Sequence, residues 1–161
     1  MGDKKKIALF LAKFFAIFAV GEYLLQVADI SFFQEGITAF QAKLLGAGFE
    51  KISIYLNGST FLITPSCTGL VSTIILGAII FSLKKPEFKQ KTAIFLAGTA
   101  LLMIANQFRL YFVLLSGKIF GVQAAELVHV ASWFATTIAI IFAWYYFTKK
   151  KTGAKDFTGF L

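Results

Sequence analysis

The chain has one cysteine, one histidine, one arginine and two prolines among 161 residues. A lone cysteine excludes an intrachain disulfide, so no oxidised framework is expected. One cysteine and one histidine are too few ligands for a structural or catalytic zinc centre. No glycine-rich phosphate motif is present either, since Gly46-Ala47-Gly48 stands without the flanking pattern. Neither a metal nor an organic cofactor is expected. Acidic residues are scarce, 8 against 16 basic ones, for a net charge of +8. The lysines gather as Lys4, Lys5 and Lys6, as Lys84, Lys85, Lys89 and Lys91, and as Lys149, Lys150, Lys151 and Lys155. These clusters alternate with apolar runs, so they read as topology anchors and exclude a nucleic-acid partner. What abounds is apolar surface. With 58% hydrophobic residues, 20 phenylalanines and a mean hydropathy of +0.76, the chain is too apolar for an ordinary soluble domain.

Four stretches approach or exceed the roughly 20 helical residues that cross a hydrocarbon core of about 30 Å. They are residues 7–28, 65–83, 92–115 and 126–147. The first begins like a signal peptide, but its run is long and carries Lys13 and Glu22, which favours an uncleaved anchor. Four crossings put every lysine cluster on the cytoplasmic side, with both termini inside and residues 29–64 and 116–125 outside. A fifth crossing over residues 30–49 would break that agreement.

Within the outer segment, Ile30, Phe33, Ile37, Phe40 and Leu44 recur at helical spacing, which predicts an amphipathic helix at the interface. The period then changes to two at Ile52, Ile54 and Leu56. Asn57-Gly58 supplies a hairpin turn, and residues 59–64 return towards Cys67. The expected fold is an all-α membrane protein: a four-span transmembrane bundle with an interfacial amphipathic helix and a short extracytoplasmic β-hairpin. Residues 1–161 are expected to form a single multi-pass domain.

The rare residues fall at one depth. Cys67 is 17 positions from Lys84, Arg109 is 17 from Thr92 and His129 is 20 from Lys149. At 1.5 Å per residue these heights are roughly 25, 25 and 30 Å above the cytoplasmic lysines, and Glu22 reaches about 24 Å above Lys6. All four lie near the outer boundary. An arginine at the centre of a span is unfavourable by about 2.5–3.5 kcal/mol; near the boundary the side chain snorkels and the cost falls. Arg109 then reads either as such an anchor, as a structural partner of Glu22, or as an anion-binding fork for which lysine is a poor substitute. Asn106, one turn earlier, would orient that fork or join helices.

Cys67 follows Thr64, Pro65 and Ser66 and precedes Thr68 and Gly69. Thr64 at the cap and Pro65 at the first helical position would put the thiol in a first turn, where free N–H groups favour a thiolate. A buried thiol acting as a small hydrophobe is the plainer alternative. His129, three residues after Glu126 at the start of the last span, suits general acid–base duty, with Glu126 orienting the ring or favouring its helix terminus. Together Cys67, Arg109 and His129 form a set for acyl transfer: nucleophile, oxyanion stabiliser and proton carrier.

Ser66-Cys67-Thr68-Gly69 resembles the small–Cys–Ser/Thr–Gly motif of the exosortase/archaeosortase family. Asn106-Gln107-Phe108-Arg109 resembles that family's Asn-x-x-Arg motif, and His129 stands where the family has its histidine. The resemblance covers roughly residues 52–133 and leans towards the archaeal branch. It implies a membrane cysteine transpeptidase or protease with Cys67, Arg109 and His129 as catalytic residues. It also implies exported substrate proteins whose C-terminus carries a signature, a transmembrane helix and a basic cluster, with a membrane lipid as one possible acceptor. The alternatives are a non-enzymatic multi-pass protein, such as a transporter or assembly subunit, and an S-acyltransferase-like enzyme.

Overall fold

The computed structural model describes residues 3–152; Lys155, counted above with the C-terminal lysines, lies outside them. Helix α1 (Asp3–Val27) is apolar along most of its length and largely exposed, as expected of a helix whose solvent is lipid. Asp29 then organises the next turn. Its carboxylate accepts the Ser31 N–H at 3.0 Å and the Ser31 hydroxyl at 2.6 Å, and these bonds hold its pKa below the usual carboxylate value.

Helix α2 (Ser31–Leu45) is amphipathic, with a partly polar face turned inward. Gln34, Thr38 and Gln41 are buried, while Phe32, Phe33, Phe40 and Leu44 are exposed. Of the expected apolar stripe, only Ile37 is fully buried. The glutamines fasten neighbouring elements: Gln34 Nε2 donates to the Ile63 carbonyl at 2.6 Å, and Gln41 Nε2 to the Gln107 carbonyl and Oε1 at 3.0 Å each. Polar groups away from water need such internal partners.

The period-two segment forms β2 (Ser53–Leu56) and β3 (Ser59–Leu62), joined by Asn57 and Gly58 at φ 49° and 80°. Two positive φ values match a twist-compatible two-residue turn. A strand not expected from the sequence, β1 (Gly48–Glu50), extends the hairpin to an antiparallel sheet of order β1-β2-β3. Three residues are too few to display a period. Ile54 and Leu56 point into a core shared with Ile37, Leu45, Ile63, Cys67, Leu110 and Leu114. Asn57 Nδ2 donates to the Lys118 carbonyl at 2.6 Å, and Lys118 Nζ to the Leu45 carbonyl at 2.7 Å, so sheet and α2 are pinned to one lysine.

The second expected crossing, residues 65–83, is not one helix. Pro65–Cys67 is a 3-10 turn, Gly69 is left-handed at φ +88°, and α3 (Leu70–Ser82) has 13 residues. At about 20 Å it is shorter than a hydrocarbon core. Among the described residues, three helices are long and apolar enough to cross a membrane: α1, α4 (Phe88–Phe120) and α5 (Val122–Thr152). The outer segment expected at residues 116–125 has been absorbed into helix, leaving Gly121 as a one-residue link at φ +88°. Lys91, read as an exposed anchor, is buried and donates to the Leu83 carbonyl at the end of α3. Packing runs from α1 to α3, from α3 to α4 and from α4 to α5. A second apolar cluster of Leu76, Ile80, Leu83, Leu102 and Trp144 closes the opposite end of the bundle.

Candidate active site

The site forms where the chain enters α3. Proline at the first position fixes φ, and Thr64 before it is extended (φ −79°, ψ 167°). Cys67 therefore sits in a short separate turn and not in the first turn of α3, which starts three residues later. The thiolate argument from the α3 dipole accordingly does not apply. Two other features surround the sulfur. Thr64 Oγ1 lies 3.4 Å from Cys67 Sγ and 2.8 Å from Ser66 Oγ, and the cysteine is 8% exposed. Thr68 is fully buried; its hydroxyl donates to the Pro65 carbonyl at 2.6 Å and accepts the Leu70 N–H at 3.3 Å, fastening the turn to the helix.

Gly69 has two reasons to lack a side chain. Its φ of +88° suits glycine, and a Cβ there would stand 3.2 Å from Cβ, Cγ and Nδ2 of Asn106. The resulting gap admits Asn106, which is buried on α4. Its Nδ2 donates to the Cys67 carbonyl at 2.7 Å, and its Oδ1 accepts from Arg109 Nη1 at 2.9 Å. Each end of one amide thus binds a different member of the expected set.

Arg109 spreads its fork over three partners. Besides Asn106, Nε donates to Ser132 Oγ at 3.2 Å, and Nη2 lies 3.3 Å from His129 Nδ1. Guanidinium has donors only, so Nδ1 is the acceptor and a neutral ring carries its proton on Nε2. Ser132 Oγ donates its own hydrogen bond to the His129 carbonyl at 3.0 Å, which fixes it over the turn that bears the imidazole.

The structure therefore joins the Cys67 peptide, Asn106, Arg109 and His129 in one hydrogen-bonded chain. It does not bring Glu126 in: that side chain is exposed, and no hydrogen bond links it to His129. Nor does Glu22 pair with Arg109; its Oε1 is buried without a partner. Ser66 stays exposed beside the turn. Ser132 was missed by sequence reasoning, although its place one turn after His129 on the same helical face was a usable signal. Thr64 is the cap residue of the 3-10 turn, as expected, but its hydroxyl makes no capping bond and meets Ser66 Oγ and the sulfur.

A family model described as transmembrane exosortase (Exosortase_EpsH) matches residues 5–145. No curated protein and no solved structure matches the chain.

Proposed function

The chain belongs to the transmembrane exosortase family, and on that premise we propose that it is a membrane cysteine transpeptidase or protease acting on the C-terminal sorting tails of exported proteins. The observation that carries this reading is the Asn106 bridge, which ties the peptide of the sole cysteine to the sole arginine and, through it, to the sole histidine. A structural role for any one of them would not require all three.

The proposed chemistry uses each group once. The thiol proton passes to His129 Nδ1, which becomes free when the Arg109 fork turns from the ring to the substrate. The sulfur lone pair then forms a C–S bond to the carbonyl carbon while the π pair moves onto oxygen, where Arg109 stabilises the negative charge. Collapse restores C=O and breaks the C–N bond, and the amine leaves with the proton held by the imidazole. The thioester is consumed by water, giving a new carboxylate, or by a hydroxyl or amine of an acceptor such as a membrane lipid; sulfur recovers its proton in either case. Arg109 suits this role because its planar donors reach an oxyanion without giving up all their resting partners.

The lysine clusters support a topology with both termini inside and the site on the outer side. Under it, α3 and the turn before it serve as a short fourth crossing, since residues 84–91 have to return to the cytoplasmic side. The whole described chain is proposed to act as one multi-pass domain in the cell membrane.

The test is the mass of the new C-terminus of a co-expressed tailed protein. The wild-type chain should remove the hydrophobic tail, leaving a free acid or a lipid adduct. Cys67→Ala, Arg109→Ala and His129→Ala should each insert normally and leave the tail intact. Full processing by Cys67→Ala would end the assignment.

A further inference from the structure

Beside the Pro65-Ser66-Cys67 turn, on the side away from α4 and α5, lies a cleft of about 510 Å³ between α1, α2 and the start of α3. Its volume is that of a ligand site. Glu22, Gln26, Asp29, Ser31, Gln34 and Ser66 supply its polar lining. Most of these groups are already engaged: Asp29 holds Ser31, Gln34 holds Ile63, and Ser66 meets Thr64. Glu22 is different. Its half-buried carboxyl group lines the cleft, while Oε1, closed to water, has no hydrogen-bond partner among the described residues, and a buried carboxylate oxygen is costly to leave unpaired. The close approach of α1 to α3 fixes its position, for a Cβ on the preceding Gly21 would come within 2.6 Å of Ile74. Nothing in the proposed acyl transfer uses this carboxylate.

We propose that the cleft is a specificity subsite for the tail, and that Glu22 there receives a cationic side chain, lysine or arginine, lying within a few residues of the scissile bond. This inference rests on the transpeptidase reading and deepens it. Position supports it: Ser66 Oγ on the cleft wall, Thr64 Oγ1 and Cys67 Sγ form an unbroken contact series of 2.8 and 3.4 Å, so the wall of the cleft is two contacts from the sulfur. Charge supports it as well, because two carboxylates, Glu22 and Asp29, line the cleft and no basic side chain does. A cation satisfies Glu22 where a neutral donor leaves the net negative charge of the cleft unbalanced.

The experiment co-expresses the full chain with an exported reporter carrying a hydrophobic span and basic tail, the residues just ahead of the span being randomised. Cleaved and uncleaved pools are then sequenced. Wild type should enrich lysine or arginine over methionine at one position by about tenfold or more, the scale on which a desolvated charge pair discriminates. Glu22→Gln should erase that preference, Glu22→Asp should keep part of it, and Glu22→Lys should turn it towards glutamate, with all variants inserted and melting near wild type. A cleaved pool without a basic preference, or a preference that survives Glu22→Gln, overturns the subsite and leaves the transpeptidase reading standing. No cleavage by wild type, or cleavage that survives Cys67→Ala, removes the transpeptidase reading itself.

Discussion

Replacing Asn106 by leucine tests the geometry most directly, because one buried amide serves both the cysteine peptide and the arginine. The substitution keeps the volume close and removes both hydrogen bonds, of 2.7 and 2.9 Å. The Cys67 carbonyl loses its donor at a buried position, which costs about 1–3 kcal/mol, and the bond to a charged donor is worth about 1.5–3 kcal/mol. Arg109 retains Ser132 and His129, so part of the second quantity survives. A net loss of about 3 kcal/mol in site definition follows, equivalent to roughly a hundredfold in rate if it falls on the chemical step. The assay is cleavage of a tailed reporter in membranes, with separate kcat and KM, beside thermal unfolding in detergent. The expected result is a kcat lower by about two orders of magnitude, little change in KM and a small fall in Tm. Asn106→Asp should be equally impaired, since it keeps the acceptor for Arg109 and sets an anion against the Cys67 carbonyl. Leucine at 106 working within twofold of wild type would refute the idea that this bridge builds the site.

Gly69→Ala should cost about 1–2 kcal/mol through its left-handed φ alone. It should also slow cleavage by displacing Asn106; unchanged Tm and rate would contradict both. Ser132→Ala removes the acceptor of Arg109 Nε, and a fall of about three- to tenfold in kcat is expected, as for loss of a single hydrogen bond. Lys118→Met frees the Leu45 carbonyl and should lower stability by about 1.5 kcal/mol, seen as faster proteolysis between α2 and β3; equal digestion rates would argue against the pinning. Asp29 has its pKa lowered by Ser31, so its support for the start of α2 is present above the ordinary value of 3.8 and is lost as pH falls through the lowered one. Amide exchange in the first turn of α2 should rise there in wild type and be independent of pH over that window in Asp29→Asn.

The gross plan was legible because it follows from simple periods. Long apolar runs with lysine ends give α1, α4 and α5, and Asn57-Gly58 between alternating residues gives the hairpin. The meeting of the Cys67 peptide, Arg109 and His129 was legible for a different reason: rare residue types at equal heights are conspicuous in an apolar chain. Less visible was what depends on a partner far along the chain. The break at Gly69 looks like any glycine near a helix start until Asn106 is seen to need the gap. Ser132 looks like a helical serine bonded to its own backbone, and its acceptor role exists only because Arg109 comes across from α4. Gln34 and Gln41 read as the wet side of an interfacial helix, yet they face inward, because the carbonyls of Ile63 and Gln107 need donors. The outer end of α4 was placed too early and the start of α5 too late for a related reason: residues 116–120 and 122–125 are not distinctive, and only the left-handed Gly121 marks the reversal.

That reversal governs how the two long helices come together. With one residue between them, α4 and α5 cannot slide or swivel independently, so arginine and histidine are delivered in fixed register as a prefabricated half. The cysteine is carried on a separate segment, the turn that follows β3. Adding one residue to either long helix between Gly121 and the site would rotate a partner away by about 100°, whereas added length in the sheet loops would be absorbed.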